Sequence, residues 1–116
     1  MPITNLLAVV TVGDFDAALT WYERLFGRPA DRFPMAGLAE WQITSAGGTQ
    51  LLHDAERGGG ALLTLAVDDL ERHVADIAER GITVGAITRG DMAQFASITD
   101  PEGNTVTFAE PLGSAD

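Results

Sequence analysis

The chain has 116 residues, of which 46% are hydrophobic and 21% charged, enough for one compact domain with a real core and too few for two ordinary ones. It has no cysteine, which excludes disulfides, thiolate metal sites and cysteine nucleophiles, and no apolar run reaches the roughly 18 residues of a membrane-spanning helix. Lys+Arg number 7 against Asp+Glu 17, a formal net charge of −10; such a surface repels nucleic acid and anionic membranes and suits a neutral or cationic small partner, besides keeping the protein soluble.

The first ten residues, MPITNLLAVV, lack the basic region and long apolar stretch of a signal peptide, so a cytoplasmic location is expected. Leu6 to Val12 reads as a strand, with Ala8, Val10 and Val12 on one face and Leu7, Val9 and Thr11 on the other. Asp14 then caps a helix from Phe15 to Phe26, in which Phe15, Leu19, Tyr22 and Phe26 recur at helical spacing. Gly27 stops it. Strands follow near Ala30–Met35, Leu38–Thr44 and Thr49–Asp54, with turns at Gly37 and Gly47-Gly48. Arg57-Gly58-Gly59-Gly60 reads as a flexible connector, not a phosphate loop, because no GK[ST] follows it.

The pattern then restarts. Ala61–Val67 is a strand, Asp68 or Asp69 caps a helix running to Arg80 with Leu70, Val74 and Ile77 inward, and Thr83–Thr88 is a further strand. Ala93–Thr99 and Asn104–Ala109 form a hairpin around Asp100-Pro101-Glu102-Gly103-Asn104. In that turn Asp100 can accept from backbone N–H groups just ahead, Pro101 presets φ, and Gly103 supplies the positive-φ residue. An offset of 55 carries Val12, Asp14, Phe15, Leu19 and Tyr22 onto Val67, Asp69, Leu70, Val74 and Ile77 with their character kept. That is the mark of an internal repeat. Each half therefore reads β-α-β-β-β, giving an α+β fold of paired modules, about 5–56 and 61–111, whose mixed sheet curves around a cavity with both helices outside.

The segments VTVGDFDAALTWYERLFG, LAVDDLERHVADIAERG and TDPEGNTVTFAEP resemble the vicinal oxygen chelate superfamily of glyoxalases, bleomycin-resistance proteins and dioxygenases, over essentially the whole chain. The resemblance implies a divalent metal held by His and Glu side chains from four strands. The matching positions here are Leu7, Leu62, Gln50 or Leu52, and Thr107, none of which offers an imidazole or carboxylate. The neighbouring Ala8, Leu51, Leu63, Val106 and Phe108 are no better donors. The chain therefore resembles the branch that binds aromatic antibiotics without chemistry. No metal, cofactor or catalytic residue is expected, and the fold's cavities often form between modules of different chains, so a homodimer is.

The expected ligand wall comprises Leu7, Val9, Trp41, Leu62 and Phe95, with Gln50, Thr64 and Thr107 as polar anchors. Trp41 offers either a stacking surface or a packing residue of the sheet or a dimer interface. Phe95 and Met92 line the cavity mouth or fill core, and Trp21 packs at the edge of its helix. His53 is alone on its strand, opposite in parity to Gln50 and Leu52, and His73 is read as solvated on the second helix. Glu40 and Gln42 share a strand face and would bind a cationic group if that face were inward. The primary expectation is a small-molecule sequestering protein. The alternatives are a metal-dependent lyase or dioxygenase of the glyoxalase type and an accessory module with a vestigial cavity.

Overall fold

The structure, a computed structural model, describes residues 3–112. Strand β1 (Leu7–Val12) leads into helix α1 (Phe15–Phe26), then β2 (Arg32–Met35), β3 (Leu38–Thr44) and β4 (Gly47–His53). The order repeats as β5 (Leu62–Ala66), α2 (Leu70–Glu79), β6 (Thr88–Arg89), β7 (Ala93–Thr99) and β8 (Thr105–Pro111). Each half builds a four-stranded mixed sheet, ordered β1-β4-β3-β2 and β5-β8-β7-β6. In each, the first strand runs parallel to the last and the others pair antiparallel. The fold is α+β, with the expected β-α-β-β-β order in both halves.

Alternation decides which side of each sheet is buried. In β1, Val10 and Val12 are buried; in β3, Ala39 and Trp41; in β4, Thr49 and Leu51. These face the layer that holds Ala18, Tyr22 and Leu25 of α1, and Phe26 stacks on Trp41 with ring centroids 5.1 Å apart. In the second half, Leu63, Ala96, Val106 and Phe108 join Leu70 and Ile77 of α2 in the same core cluster. Both helices start as the sequence dictates: Asp14 accepts from the Ala17 N–H and Asp69 from the Arg72 N–H.

The other side of each sheet carries no helix, and we call it the open face. The molecule measures 44 × 40 × 24 Å. Its thin dimension is that of one sheet layer plus one helix layer, about 10 Å apart, with their side chains. Its radius of gyration, 14.7 Å, exceeds the roughly 13 Å of a compact chain this long. The two sheets thus lie side by side in a plate.

One expected strand is largely absent. Of Thr83–Thr88 only Thr88 lies in a strand, the two-residue β6, because Ile82 and Val84 turn into the core and Gly85 crosses close to β7. The Gly85 N–H bonds the Ser97 carbonyl at 2.9 Å, and a Cβ on Gly85 would lie 2.9 Å from that same oxygen. The expected flexible connector is also pinned. Gly59 N–H donates to the Thr11 carbonyl and Gly60 N–H to that of Gly103. Gly59 has φ 85, and a Cβ there would sit 2.5 Å from the Glu102 carbonyl oxygen, so only glycine fits.

Besides the shared apolar core, polar contacts on and beside α1 join the halves. The Gly13 and Asp14 N–H groups, just before the helix, donate to Glu102 Oε1 and Oε2 at 3.0 and 2.8 Å. At its other end, Arg80 Nε and Nη2 donate to the carbonyls of Arg24 and Leu25 at 2.6 and 3.0 Å. Between them, the Tyr22 hydroxyl donates to Asp100 Oδ2 at 2.7 Å, and Asn104 Nδ2 donates to the Thr11 carbonyl at 3.1 Å. Burial, then the Asp100 hydrogen bond, pushes the Tyr22 phenol well above its ordinary range. Asp100 itself also gathers the Glu102 and Asn104 N–H groups on Oδ1, which shapes the turn.

Asp100 is buried and accepts four hydrogen bonds. Asp100→Ala should therefore cost about 3 kcal/mol or more, against about 1 kcal/mol for Glu102→Ala, whose N–H partners can turn to water. Urea unfolding midpoints check the order. Equal small losses would mean that the turn does not join the halves.

Candidate functional site

The open face of the first sheet is built by the residues that alternate with its core. Leu7, Val9 and Thr11 alternate with Val10 and Val12, and Val9 sits opposite Gln50 in the β1–β4 ladder. Gln50 in turn sits opposite Glu40, and Leu52 opposite Leu38. Of the expected ligand wall, this face holds Leu7, Val9 and Gln50; Val9 is 46% exposed. The open face of the second sheet holds Leu62, Thr64, Phe95 and Thr107. Thr64 pairs with Thr107 across β5–β8, and Thr107 with Ser97 across β8–β7, their hydroxyls 2.8 Å apart. Leu62 is 84% exposed and Phe95 40% exposed. A leucine left this open in a folded chain has no packing partner of its own.

Trp41 is the correction. It is 0% exposed, on the helix side of β3, and its indole N–H donates to the Arg28 carbonyl at 3.1 Å. A residue enclosed between α1 and the sheet cannot stack on a ligand at the open face, and this settles its two readings in favour of packing. Its strand neighbour Glu40 takes the open-face position instead. Glu40 is 5% exposed; Gln50 Nε2 donates to its Oε1 at 2.9 Å, and Arg32 Nη1 lies 3.1 Å from its Oε2. Gln42, on the same face, is engaged in a reciprocal amide pair with Asn5. Met92 and His53 are both exposed, and Trp21 packs edge-on against Tyr22.

Two apolar hollows that the sequence did not reveal lie on the seam between the halves. One, about 260 Å³, is lined by Leu6, Ala8, Ile43, Leu63 and Leu65 among others. The second, about 210 Å³, is walled by Phe26, Ile43, Leu65, His73 and Phe108. Both fall below the roughly 300–1,000 Å³ of ordinary small-molecule pockets. His73 borders this seam and is half-buried rather than fully solvated: its ring packs on Phe108 with centroids 4.7 Å apart. Burial, then the charge of Arg80, lowers its pKa below the ordinary 6.5, while Asp76 and Asp68 oppose the shift.

The sequence from residue 5 to 108 matches the family model of the glyoxalase/bleomycin resistance protein/dioxygenase superfamily. The chain belongs to this superfamily. It is similar to the crystal structure of a glyoxalase/bleomycin resistance protein from Catenulispora Acidiphila DSM 44928, at 33% identity and a TM-score of 0.86, covering 91% of this chain and 96% of that one. TnmS3, an antibiotic binding protein from Streptomyces sp. CB03234, shares the fold at 23% identity and a TM-score of 0.75, over 96% of this chain and 98% of that one. So does a lactoylglutathione lyase from Agrobacterium tumefaciens, at 22% identity and a TM-score of 0.71, over 94% of each chain. No curated protein matches the sequence.

The superfamily's metal can be tested against the donors present. At the matching positions stand two leucines, Gln50 or Leu52, and a threonine. Hydrocarbon, amide and hydroxyl groups do not supply the imidazole and carboxylate donors that a catalytic divalent ion requires, so the residues do not fit the group. Among the described residues, no cluster of three or more His, Asp or Glu side chains is placed to hold a metal.

His73 generates a pH prediction. The folded state disfavours the charged imidazole, so the contribution of His73 to stability is full above the ordinary 6.5 and is lost as pH falls through the lowered value. Between pH 7 and pH 5 the wild type should lose more stability than His73→Gln, as read from urea unfolding at each pH. Identical slopes would show that the ring is not desolvated by the seam.

Proposed function

We propose that this protein is a metal-independent small-molecule binding protein that sequesters an aromatic or amphipathic compound. The observation that carries the reading is the pair of open faces. One offers Leu7, Val9 and Gln50 and the other Leu62, Thr64, Phe95 and Thr107, at and around the positions where the superfamily places its metal. A wall of apolar side chains with a few neutral anchors suits an organic guest, held by surface burial and oriented by a few hydrogen bonds. The fold is shared with TnmS3, an antibiotic binding protein, and a small organic guest is in keeping with that.

The reading includes a homodimer. Because the sheets lie side by side in a plate one sheet and one helix thick, neither open face is covered by its own chain. Exposed apolar groups gathered on such faces favour burial by a partner. A second copy, laying its second sheet over the first sheet of its partner and the reverse, would close two equivalent cavities. The chain would then be one domain of two modules, acting in the cytoplasm as a sequestering partner for its ligand, with no nucleic acid or membrane involved.

The test is a thermal-shift screen of aromatic and amphipathic compounds with the purified protein, alongside elemental analysis and sedimentation. A ligand at 100 times its Kd should add about 2.7 kcal/mol, a rise in Tm of roughly 10–20 °C for a domain this size. Leu62→Asp should abolish the shift while leaving the unliganded Tm within a few degrees, because the side chain is exposed. A full panel without a shift would support the vestigial-cavity reading. One tightly held transition metal per chain would support the lyase or dioxygenase reading. A monomer at tens of micromolar would remove the shared-cavity arrangement.

A further inference from the structure

Among the described strand residues whose side chains lie on the open faces, the ionisable ones are Glu40 and Arg32. They are unequal partners. Glu40 sits on an inner strand, 5% exposed, with Gln50 Nε2 on one carboxylate oxygen and Arg32 on the other. Arg32 sits on the edge strand β2, directly opposite Glu40 in the ladder, and its side chain is 54% exposed. Around them the face is apolar, with Val9, Leu38 and Leu52 as neighbours in the ladder. A carboxylate taken out of water needs a compensating cation. The one it has can return to solvent, because a long side chain at an open edge rehydrates with little loss.

We propose that Glu40 is the recognition anchor for a cationic group on the ligand, an ammonium, amidinium or guanidinium carried by an aromatic or apolar body. Arg32 holds the place of that group in the empty protein and swings out when it arrives. The inference rests on the open face being the ligand wall, and it adds the charge of the guest. Two observations choose a cation over an anion bound by Arg32. The Arg32 charge is already cancelled by the carboxylate it contacts, whereas the ligand cation would meet Glu40 in a drier setting, where the pairing is stronger. The net charge of −10 also draws cations toward the protein and repels anions. Gln50 then acts as a positioning residue: the hydrogen bond its Nε2–H donates to Glu40 Oε1 holds the carboxylate so that Oε2 is presented.

The test uses the full chain and three planar aromatic probes followed by fluorescence titration: ethidium as the cation, anilinonaphthalene sulfonate as the anion and phenylnaphthylamine as the neutral compound. Ethidium should bind the wild type most tightly. Glu40→Gln should weaken ethidium by about tenfold or more, the loss of one charge-assisted hydrogen bond, and leave phenylnaphthylamine within about twofold. Arg32→Ala should tighten ethidium severalfold, because it removes the internal competitor. The second variant keeps Glu40 and its Gln50 hydrogen bond, and the unliganded Tm of each variant, read alongside, separates lost folding from lost recognition. Ethidium affinity unchanged in Glu40→Gln, or weakened in Arg32→Ala, overturns the proposal while neutral-probe binding keeps the ligand-wall reading intact. Failure of all three probes to bind overturns both.

Discussion

Helix α1 is held at both ends by the other half of the chain, and the architecture depends on that grip. The Glu102 carboxylate stands at its start and the Arg80 guanidinium at its finish. Each charge has the sign that the helix dipole favours at that end. Each also satisfies backbone groups that a helix terminus leaves without partners. Gly27 makes room at the finish: its φ of 78 ends the helix, and a Cβ there would lie 3.0 Å from the Arg80 guanidinium carbon. With Asp100 and Asn104 bonded to Tyr22 and Thr11 alongside, the two sheets are fixed edge to edge. A purely apolar seam could slide; directional hydrogen bonds to backbone groups set one register between the halves.

That register turns the helix-free faces outward and so determines what the scaffold can offer. Superfamily membership fixes the frame but not the chemistry, which resides in the side chains that a sequence places on it. Among the described residues those strand side chains are apolar or neutral and polar, Gln42 and Gln50 included, apart from one buried carboxylate and its half-exposed arginine. In the proposed reading such a wall binds and orients a guest. Among the described residues, no group of three or more His, Asp or Glu is placed to hold a metal ion.

Most of the secondary structure was legible because its signals were local. Asp14, Asp69 and Gly27 act on their own helices, and the alternation of β1, β3, β7 and β8 follows from pleat geometry. The turn at Asp100 could be read as a turn for the same reason. Its second role could not, since the Tyr22 hydroxyl it meets is 78 residues away in sequence. Trp41 failed differently. Its strand alternates Leu38, Glu40 and Gln42 with Ala39, Trp41 and Ile43, and plain alternation would have sent the tryptophan to the core. Accepting it would have placed Glu40 on the open face, where its buried pairing now makes it the most informative polar group. Thr83–Thr88 was misread because β propensity says nothing of a neighbour, and only Thr88–Arg89 finds a ladder partner.

The two helices differ in where their support comes from. The first residue of α2 is bonded by Glu110 within its own half, while α1 draws on Arg80 and Glu102, both far downstream of it. A ribosome delivers the chain from the amino end, at roughly 5–20 residues per second. The early half therefore leaves the exit tunnel with its helix still ungripped, and it waits several seconds for the closing hairpin to be made. Maturation of the whole molecule is thereby tied to its last strands, and a polypeptide released before them would carry Arg80 for the finish of α1 but lack the Glu102 carboxylate at its start.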